Sequence, residues 1–277
     1  MKRTVKFLAA IALAGIVLAG CSSGSAKIDK NEVVKLGVVG ANNEVWESVK
    51  DRLKEENIEL EIIEFSDYTQ PNAALAEKEI DLNSFQHQIF LDNYNTEHKT
   101  DLVSIGNTVN APLGVYSEKL KDIEDIENGG EIAIPNDTTN GGRALLLLQS
   151  AGLIKVDPGA QQTPTVNDIT ENKRNLKITE LDAAQTARVL QDVDASVINS
   201  GMAVDAGFIP TEDAIYLEPV DDTSKPYVNI IVARKEDEDN ELYQKIVDAY
   251  QQDETKTVID ESTKGSSIAA WETFGRK

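Results

Sequence analysis

The run Val33-Val34-Lys35-Leu36-Gly37-Val38-Val39-Gly40 is mostly apolar and β-branched, and it ends in glycine. Such a run is typical of a strand that is buried on both faces of a parallel sheet. Asn43 is the predicted N-cap of the helix that follows, and one face of that helix carries Val45, Trp46 and Val49. A buried strand followed at once by an amphipathic helix predicts an α/β fold.

The alternation of strands and helices continues along the chain. Further strands are predicted at residues 58–65, 80–82, 102–106, 113–117, 131–135, 176–181, 195–199, 215–218 and 227–233. Helices are predicted from Pro71 onward and at residues 86–94, 143–149, 183–190 and 240–250. The first half therefore predicts a parallel-sheet domain. The whole string fits either one doubly wound sheet or two smaller domains, and periodicity does not choose between them.

The N-terminus has the features of an export signal. Lys2, Arg3 and Lys6 precede an unbroken apolar or small run at residues 7–20. This run is shorter than the ~20 residues that a membrane-spanning helix needs, and it ends in small residues as a cleavage site does. We predict that residues 1–20 are a signal peptide.

Cys21 is the only cysteine in the 277 residues, so it has no partner for an intramolecular disulfide. The sequence Leu18-Ala19-Gly20-Cys21 resembles the lipobox of bacterial lipoproteins, in which the cysteine carries a diacylglyceryl group. Two acyl chains hold a protein firmly at a membrane. We therefore predict that Cys21 is lipidated and that residues 21–31 form a lipidated tether; the alternative is a chance cysteine behind an ordinary secretory signal.

The charge of the chain restricts its partners. The formal net charge is −21, and removal of the three positive charges in residues 1–20 makes it −24. Such a surface repels nucleic acid and anionic lipid headgroups at long range. Nucleic acid is therefore not an expected partner.

The segment Thr138-Thr139-Asn140-Gly141-Gly142-Arg143 lies between a predicted strand and a predicted helix. Free N–H groups at a helix start favour anions, and the Arg143 guanidinium has a fork that suits a carboxylate or phosphate. An anionic group is therefore a candidate ligand here. The alternative is that Asn140 only caps the helix and Arg143 is solvated.

Aromatic and polar groups follow two strands of the first half, where Tyr68, Phe85 and Phe90 could wall an apolar pocket beside His87. Plain core packing is the alternative for Phe85 and Phe90.

Two asparagines, at 199 and 229, lie within or at the end of apolar runs. A buried amide needs hydrogen-bond partners, which predicts a ligand role or a local turn role for both.

Signatures of enzymes are weak in this chain. A G-x-S-x-G pattern matches residues 20–24, with Cys21 in its second position, but it spans the predicted cleavage site. No Walker A or G-x-G-x-x-G sequence is present, and the only histidines are His87 and His98. No metal or cofactor is predicted. A secreted hydrolase or lyase that pairs His87 with Asp67 is one rival interpretation, and a surface adhesin is another.

Several motifs together resemble one known family. They occupy residues 18–21, 33–40, 81–87, 107–117, 140–149, 197–199 and 226–232. In order and spacing they are similar to the methionine-binding lipoproteins, the substrate-binding subunits of methionine-uptake ABC transporters. The resemblance covers nearly the whole mature chain.

The resemblance implies an α/β, two-lobed periplasmic-binding-protein-like (type II) fold with two crossing strands and an interlobe ligand cleft. The first lobe would comprise residues 32–112 and 230–277, and the second lobe residues 113–229. The crossings would fall near residues 111–115 and 228–230. No catalysis and no cofactor is implied.

The resemblance also implies a set of ligand-binding residues, which are Tyr68, Phe85, His87, Phe90, Asn140, Arg143, Asn199, Met202 and Asn229. Arg143 would hold the ligand carboxylate, and the two asparagines of the apolar runs would hold its amino and carboxylate ends. The family often has Pro-Tyr in place of Ile89-Phe90 and an aromatic residue in place of Met202. Methionine, a methionine-containing dipeptide and another apolar amino acid are therefore all candidate ligands.

The implied partners are the permease and ATPase subunits of an ABC importer, with the protein acting as a monomer. The implied location is the extracytoplasmic face of the cell membrane, through the lipid on Cys21, facing the periplasm if the cell has an outer membrane.

Overall fold

The computed structural model describes residues 33–277, so the predictions for residues 1–20, Cys21 and the tether at 21–31 fall outside the described residues. The strands in this range are β1 Val33–Val39, β2 Glu59–Phe65, β3 Leu82–His87, β4 Val103–Asn110, β5 Gly114–Tyr116, β6 Glu131–Pro135, β7 Lys155–Val156, β8 Ile169–Glu171, β9 Lys177–Leu181, β10 Ala195–Ile198, β11 Tyr216–Leu217, β12 Val228–Ala233 and β13 Ile268–Ala269. The α-helices are α1 Glu44–Glu55, α2 Pro71–Ala76, α3 Gln88–His98, α4 Thr138–Ser150, α5 Ser200–Asp205, α6 Pro210–Asp213, α7 Glu241–Tyr250, α8 Asp253–Thr263 and α9 Ala270–Phe274.

The first sheet has six strands in the order β13-β4-β12-β3-β1-β2. Strand β1 pairs in parallel with both β2 and β3. Strand β12 comes from the end of the chain, and it lies antiparallel between β3 and β4. The first sheet is therefore mixed, and the prediction of a purely parallel sheet in the first half is wrong, because sequence order does not show that a late strand enters an early sheet.

The second sheet has five strands in the order β11-β5-β10-β6-β9. Strands β9 and β10 flank β6 in parallel, whereas β5 is antiparallel to β10 and β11. Each sheet has its own apolar core. We call the layers around the first and second sheets the first and second lobes.

Two short segments connect the lobes. The chain leaves the first sheet after β4 and enters the second at β5, through residues 111–113. It returns through residues 218–227, which include a 3₁₀ helix at Asp222–Tyr227. Residues 228–230 already pair with β3 and β4, so the return crossing ends just before the predicted position near residues 228–230.

Helix α4 begins five residues earlier than predicted. The Asp137 carboxylate caps it by accepting hydrogen bonds from the N–H groups of Thr139 and Asn140, at 3.2 and 2.9 Å. Asn140 is thus not the helix cap. The segment that contains Gly141 and Gly142 is the first part of the helix, and a Cβ on Gly142 would lie 2.7 Å from the Cα of Thr163. The absence of a side chain at Gly142 lets the backbone of α4 pack closely against the backbone of Thr163.

Three other local predictions are corrected by the structure. The short strand at residues 80–82 is replaced by β3, which begins at Leu82. The helix at residues 183–190 is only a 3₁₀ turn at Ala183–Gln185, and the backbone hydrogen bonds that follow it, such as Arg188 N–H to the Gln185 carbonyl at 3.0 Å, continue to span three residues rather than four. The Asn43 side chain does not cap α1 and instead donates to the Glu64 carboxylate at 2.8 Å.

Helices α5, α6, α8 and α9 and strand β13 were not predicted from the sequence; most are short. The N-terminal end of β1 is more exposed than predicted for a strand that is buried on both faces, since Val33 is 40% exposed. Within residues 33–277, no helix has the length and apolar character needed to cross a membrane.

Candidate functional site

A cavity lies between the two lobes and contains about 400 Å³ of space not filled by protein atoms. Its lining residues are Tyr68, Phe85, Gln86, His87, Phe90, Ala111, Asn140, Arg143, Asn199, Ser200, Gly201 and Asn229. Eight of the nine predicted ligand-binding residues are among them. Met202 is not, because its partly buried side chain packs against the cluster around Tyr116 and Ile198.

Three aromatic rings form the apolar wall of this cavity. Tyr68 follows β2, Phe85 lies in β3 and Phe90 lies in the first turn of α3. The ring centroids of Phe85 and Phe90 are 5.7 Å apart in an edge-to-face arrangement, and Tyr68 lies 5.9 Å from Phe85. Burial raises the pKa of the Tyr68 hydroxyl, so the hydroxyl stays protonated. A wall of this kind suits an apolar or thioether side chain.

His87 is a neutral hydrogen-bond donor at the cavity. Its Nδ1 accepts a hydrogen bond from the N–H of Phe90 at 3.2 Å, so the proton of the neutral ring lies on Nε2. Nε2 is buried without a hydrogen-bond partner among the described residues. Burial, with the nearby charge of Arg143 as a second cause, lowers the pKa of His87 to about 3. His87 is therefore uncharged at neutral pH.

Arg143 is buried, with 5% of its side chain exposed, so the interpretation as a solvated residue is wrong. Its Nε donates to Glu218 Oε1 at 2.9 Å, and its Nη2 donates to Glu218 Oε2 and to the Ala111 carbonyl. The Tyr227 ring lies under the guanidinium, 4.3 Å from Cζ. Nη1 forms no hydrogen bond within residues 33–277, and Arg143 lines the cavity.

The buried asparagines supply an acceptor. Asn199 Nδ2 donates to Asn140 Oδ1 at 2.8 Å, and Asn140 Nδ2 donates to the Asp137 carboxylate at 3.0 Å. Asn199 Oδ1 is buried and has no partner among the described residues. Asn199 is the N-cap residue of α5, but its side-chain amide forms no hydrogen bond that caps the helix. Asn229 lies opposite His87 across β12 and β3.

The cavity thus combines an apolar wall with unpaired donors on His87 and Arg143 and an unpaired acceptor on Asn199. Donors match a carboxylate and the acceptor matches an ammonium group, so the arrangement suits a zwitterionic amino acid with an apolar side chain. The rival pairing of His87 with Asp67 is not formed. The Asp67 carboxylate instead accepts from Thr69 and Gln70, and His87 Nδ1 is occupied by Phe90.

Comparison with known proteins agrees with this geometry. The model of the NlpA lipoprotein family matches residues 34–271. The chain belongs to the NlpA lipoprotein family. This confirms the resemblance noted in the sequence. The D-methionine-binding lipoprotein MetQ of Escherichia coli (strain K12) is 41% identical over 270 residues, which are 96% of this chain and 97% of that protein.

Two solved structures are close to this NlpA family member. The structure of a nutrient binding protein from Burkholderia cenocepacia bound to methionine is 47% identical, with a TM-score of 0.82, and covers 86% of this chain and 99% of that one. The substrate binding protein of a methionine transporter from Streptococcus pneumoniae is 44% identical, with a TM-score of 0.82, and covers 86% and 96%. The predicted two-lobed periplasmic-binding-protein-like fold is confirmed.

Two residues that shape the site of this NlpA family member were not predicted from the sequence. Glu218 holds Arg143, and Tyr227 lies under Arg143 and 5.5 Å from the ring of His87. Glu218 ends the strand predicted at residues 215–218 and Tyr227 begins the strand predicted at residues 227–233, and a strand pattern does not indicate a role in a site. A buried arginine needs an acidic partner, but the sequence does not show which carboxylate that partner is.

Proposed function

We propose that this protein is a lipid-anchored extracytoplasmic solute-binding protein of an ABC importer, which binds methionine or a closely related amino acid in the interlobe cleft and delivers it to the permease. One observation carries the proposal: unpaired donors on His87 and Arg143 and an unpaired acceptor on Asn199 meet beside three aromatic rings in one cavity. Relatives named for methionine binding support the same ligand class.

In this function the protein performs no chemistry on its ligand. The ligand carboxylate binds at Arg143 and His87, its ammonium group binds at Asn199 and Asn229, and its side chain lies against the aromatic wall. The ligand contacts both lobes at once, so it favours the closed arrangement over an open one. The predicted division into a lobe of residues 32–112 with 230–277 and a lobe of residues 113–229 is kept in this proposal, except that residues 228 and 229 belong to the first lobe through β12.

The location and partners belong to the proposal as well. The lipid on Cys21 would hold the protein at the extracytoplasmic face of the membrane, near the permease and ATPase subunits, as a monomer. A strongly negative surface keeps such a protein soluble beside an anionic membrane.

The function is tested on protein that lacks residues 1–21. Mass spectrometry on the small molecule released by denaturation should find methionine, because a ligand with a Kd well below ~1 μM often survives purification. Calorimetry on the emptied protein should then give binding of L-methionine with one ligand per chain. Absence of binding for both L-methionine and D-methionine would contradict the proposal.

A methionine-containing dipeptide is a second candidate ligand. A neighbouring cavity of about 670 Å³ shares Ala111, Ser200, Gly201 and Asn229 with the first cavity. Additional ligand atoms could extend from the first cavity into this space. Calorimetry that finds alanyl-methionine tighter than L-methionine would favour the dipeptide, and the reverse order would favour the amino acid.

Closure of the lobes should depend on Asp205. This residue of α5, in the second lobe, accepts hydrogen bonds from the N–H groups of Ala41 and Asn42 in the first lobe, at 3.2 and 3.0 Å. Asp205→Ala should weaken L-methionine binding by about tenfold, mainly through faster dissociation, because the bonds are charge-assisted and join the lobes. Stopped-flow fluorescence measures the two rates.

The matched control for this prediction is Glu212→Ala, which removes an exposed acidic side chain from the neighbouring helix α6. It should leave both rates unchanged. A wild-type dissociation rate in Asp205→Ala would show that the interlobe bonds do not stabilise the closed state.

A further inference from the structure

Glu218 is a largely buried carboxylate at the carboxylate end of the site, with 17% of its side chain exposed. It accepts two hydrogen bonds from the Arg143 guanidinium, and its Oε2 also accepts from the Leu113 N–H at 3.0 Å. Its own N–H donates to the Leu113 carbonyl at 2.9 Å. Glu218 therefore joins the outgoing crossing, the return crossing and Arg143 at one point.

This arrangement fixes the direction of the guanidinium. Glu218 holds Nε and Nη2 on one side, and the Ala111 carbonyl also accepts from Nη2, at 3.1 Å. The Tyr227 ring covers one face of the group. Only Nη1 is left without a bond in the described chain, so a ligand carboxylate has one defined place to bind.

Glu218 also sets the charge of this end of the site. The charges of Arg143 and Glu218 cancel, and the carboxylates of Asp137, Asp182 and Asp205 add negative charge near Tyr68. A zwitterion adds no net charge when it enters. An anion that lacks the ammonium group adds one negative charge to surroundings that already contain a surplus of carboxylates.

We propose that Glu218 is a specificity-determining residue which, by pairing with Arg143 at the junction of the two crossing segments, makes the cleft select amino-acid zwitterions over carboxylates that lack an ammonium group. This inference rests on the proposed function. Two observations support it: the carboxylate forms the bidentate pair with Arg143, and among the described residues that line the cavity there is no lysine and no arginine other than Arg143, while His87 is neutral.

The test compares two ligands of nearly the same shape by calorimetry. L-methionine is a zwitterion, and 2-hydroxy-4-(methylsulfanyl)butanoate carries a hydroxyl in place of the ammonium group and is an anion. Glu218→Gln removes one negative charge with little change in volume. The ratio of the two affinities should shift toward the anion by about tenfold or more. The negative charge that Glu218→Gln removes repels the anion strongly, whereas it has little effect on a zwitterion with no net charge.

The ratio separates a charge effect from a structural one. A merely structural loss weakens both carboxylate ligands alike, and an unchanged ratio in Glu218→Gln would overturn the inference. Glu218→Asp, which keeps the charge, should keep the wild-type ratio. Glu55→Gln makes the same charge change at an exposed position of α1 and should also leave the ratio unchanged.

The inference can also be tested by measuring the two affinities of the wild-type protein, without any variant. It should bind the anion at least about a hundredfold more weakly than L-methionine, and binding within about tenfold would overturn the inference even if Glu218→Gln does not fold. If the wild type binds neither ligand nor any amino acid, the proposed function fails and the inference fails with it. If the wild type binds L-methionine and the ratio does not move, only the inference fails.

Discussion

Replacement of Arg143 by glutamine should weaken L-methionine binding by about tenfold to a hundredfold. In the proposed function the buried guanidinium offers its Nη1 to the ligand carboxylate, and a charge-assisted hydrogen bond of this kind contributes about 1.5–3 kcal/mol. Glutamine has neither the charge nor the fork. Isothermal titration calorimetry at constant pH and salt measures the change in Kd.

The control for this prediction must separate lost binding from lost stability. Arg143→Gln leaves the Glu218 carboxylate buried without its partner, which destabilises the fold by itself. The double variant Arg143→Gln with Glu218→Gln removes both charges and should recover much of the stability without recovering the affinity. A double variant that binds L-methionine as tightly as the wild type would exclude Arg143 from ligand recognition.

Arg143→Lys gives an intermediate test. Lysine keeps the positive charge, but a single ammonium group cannot hold Glu218 through two nitrogens and also present a third to a ligand. We expect an affinity between those of the wild type and Arg143→Gln. Equal affinity in the lysine variant and the wild type would mean that charge alone matters at this position.

Lowering the pH from 7.5 to 5 should destabilise the ligand-free wild type by about 2 kcal/mol more than the variant His87→Gln. Burial lowers the pKa of His87 in the folded protein to about 3, against an ordinary value of 6.5 in the unfolded chain. Between these values the unfolded chain binds the extra proton and the folded protein does not. The contribution of His87 to stability is therefore complete above pH 6.5 and is lost as the pH falls toward 3.

Urea unfolding at the two pH values measures this difference, and only the change with pH is compared, because the variant also loses the cap of α3. The control is His98→Gln, which replaces the other histidine of the chain at an exposed position and should behave as the wild type. Equal pH dependence in the wild type and His87→Gln would mean that His87 is protonated in the folded protein at pH 5.

The strongest local patterns predicted the fold elements well. The run that begins at Val33 forms β1, and the amphipathic segment after it forms α1 with Trp46 and Val49 buried. These predictions held because the apolar period follows directly from which side chains face a core. The prediction of a helix at residues 183–190 was wrong, because the segment forms a 3₁₀ turn followed by other turns with i→i+3 hydrogen bonds.

Part of the candidate site was predicted from the polar side chains that the sequence places beside apolar segments. Buried amides need hydrogen-bond partners, which indicated a ligand role or a turn role for Asn199 and Asn229, and the fork of Arg143 at a helix start indicated an anion. Eight of the predicted residues line one cavity, while their roles in ligand binding stay predictions. Met202 was predicted only from its place in a family pattern, and its side chain lies in a neighbouring apolar cluster.

The sequence by itself determined the α/β class and the residue types available for an amino-acid ligand, and it predicted the export and lipidation signals, because each of these depends on short segments. Only the tertiary structure decided that β12 lies antiparallel between β3 and β4, that Glu218 holds Arg143, and that Asp205 joins the lobes. These contacts link residues 75 or more positions apart in the chain. Their partners are chosen by the packing of whole lobes, which no local pattern of side chains encodes.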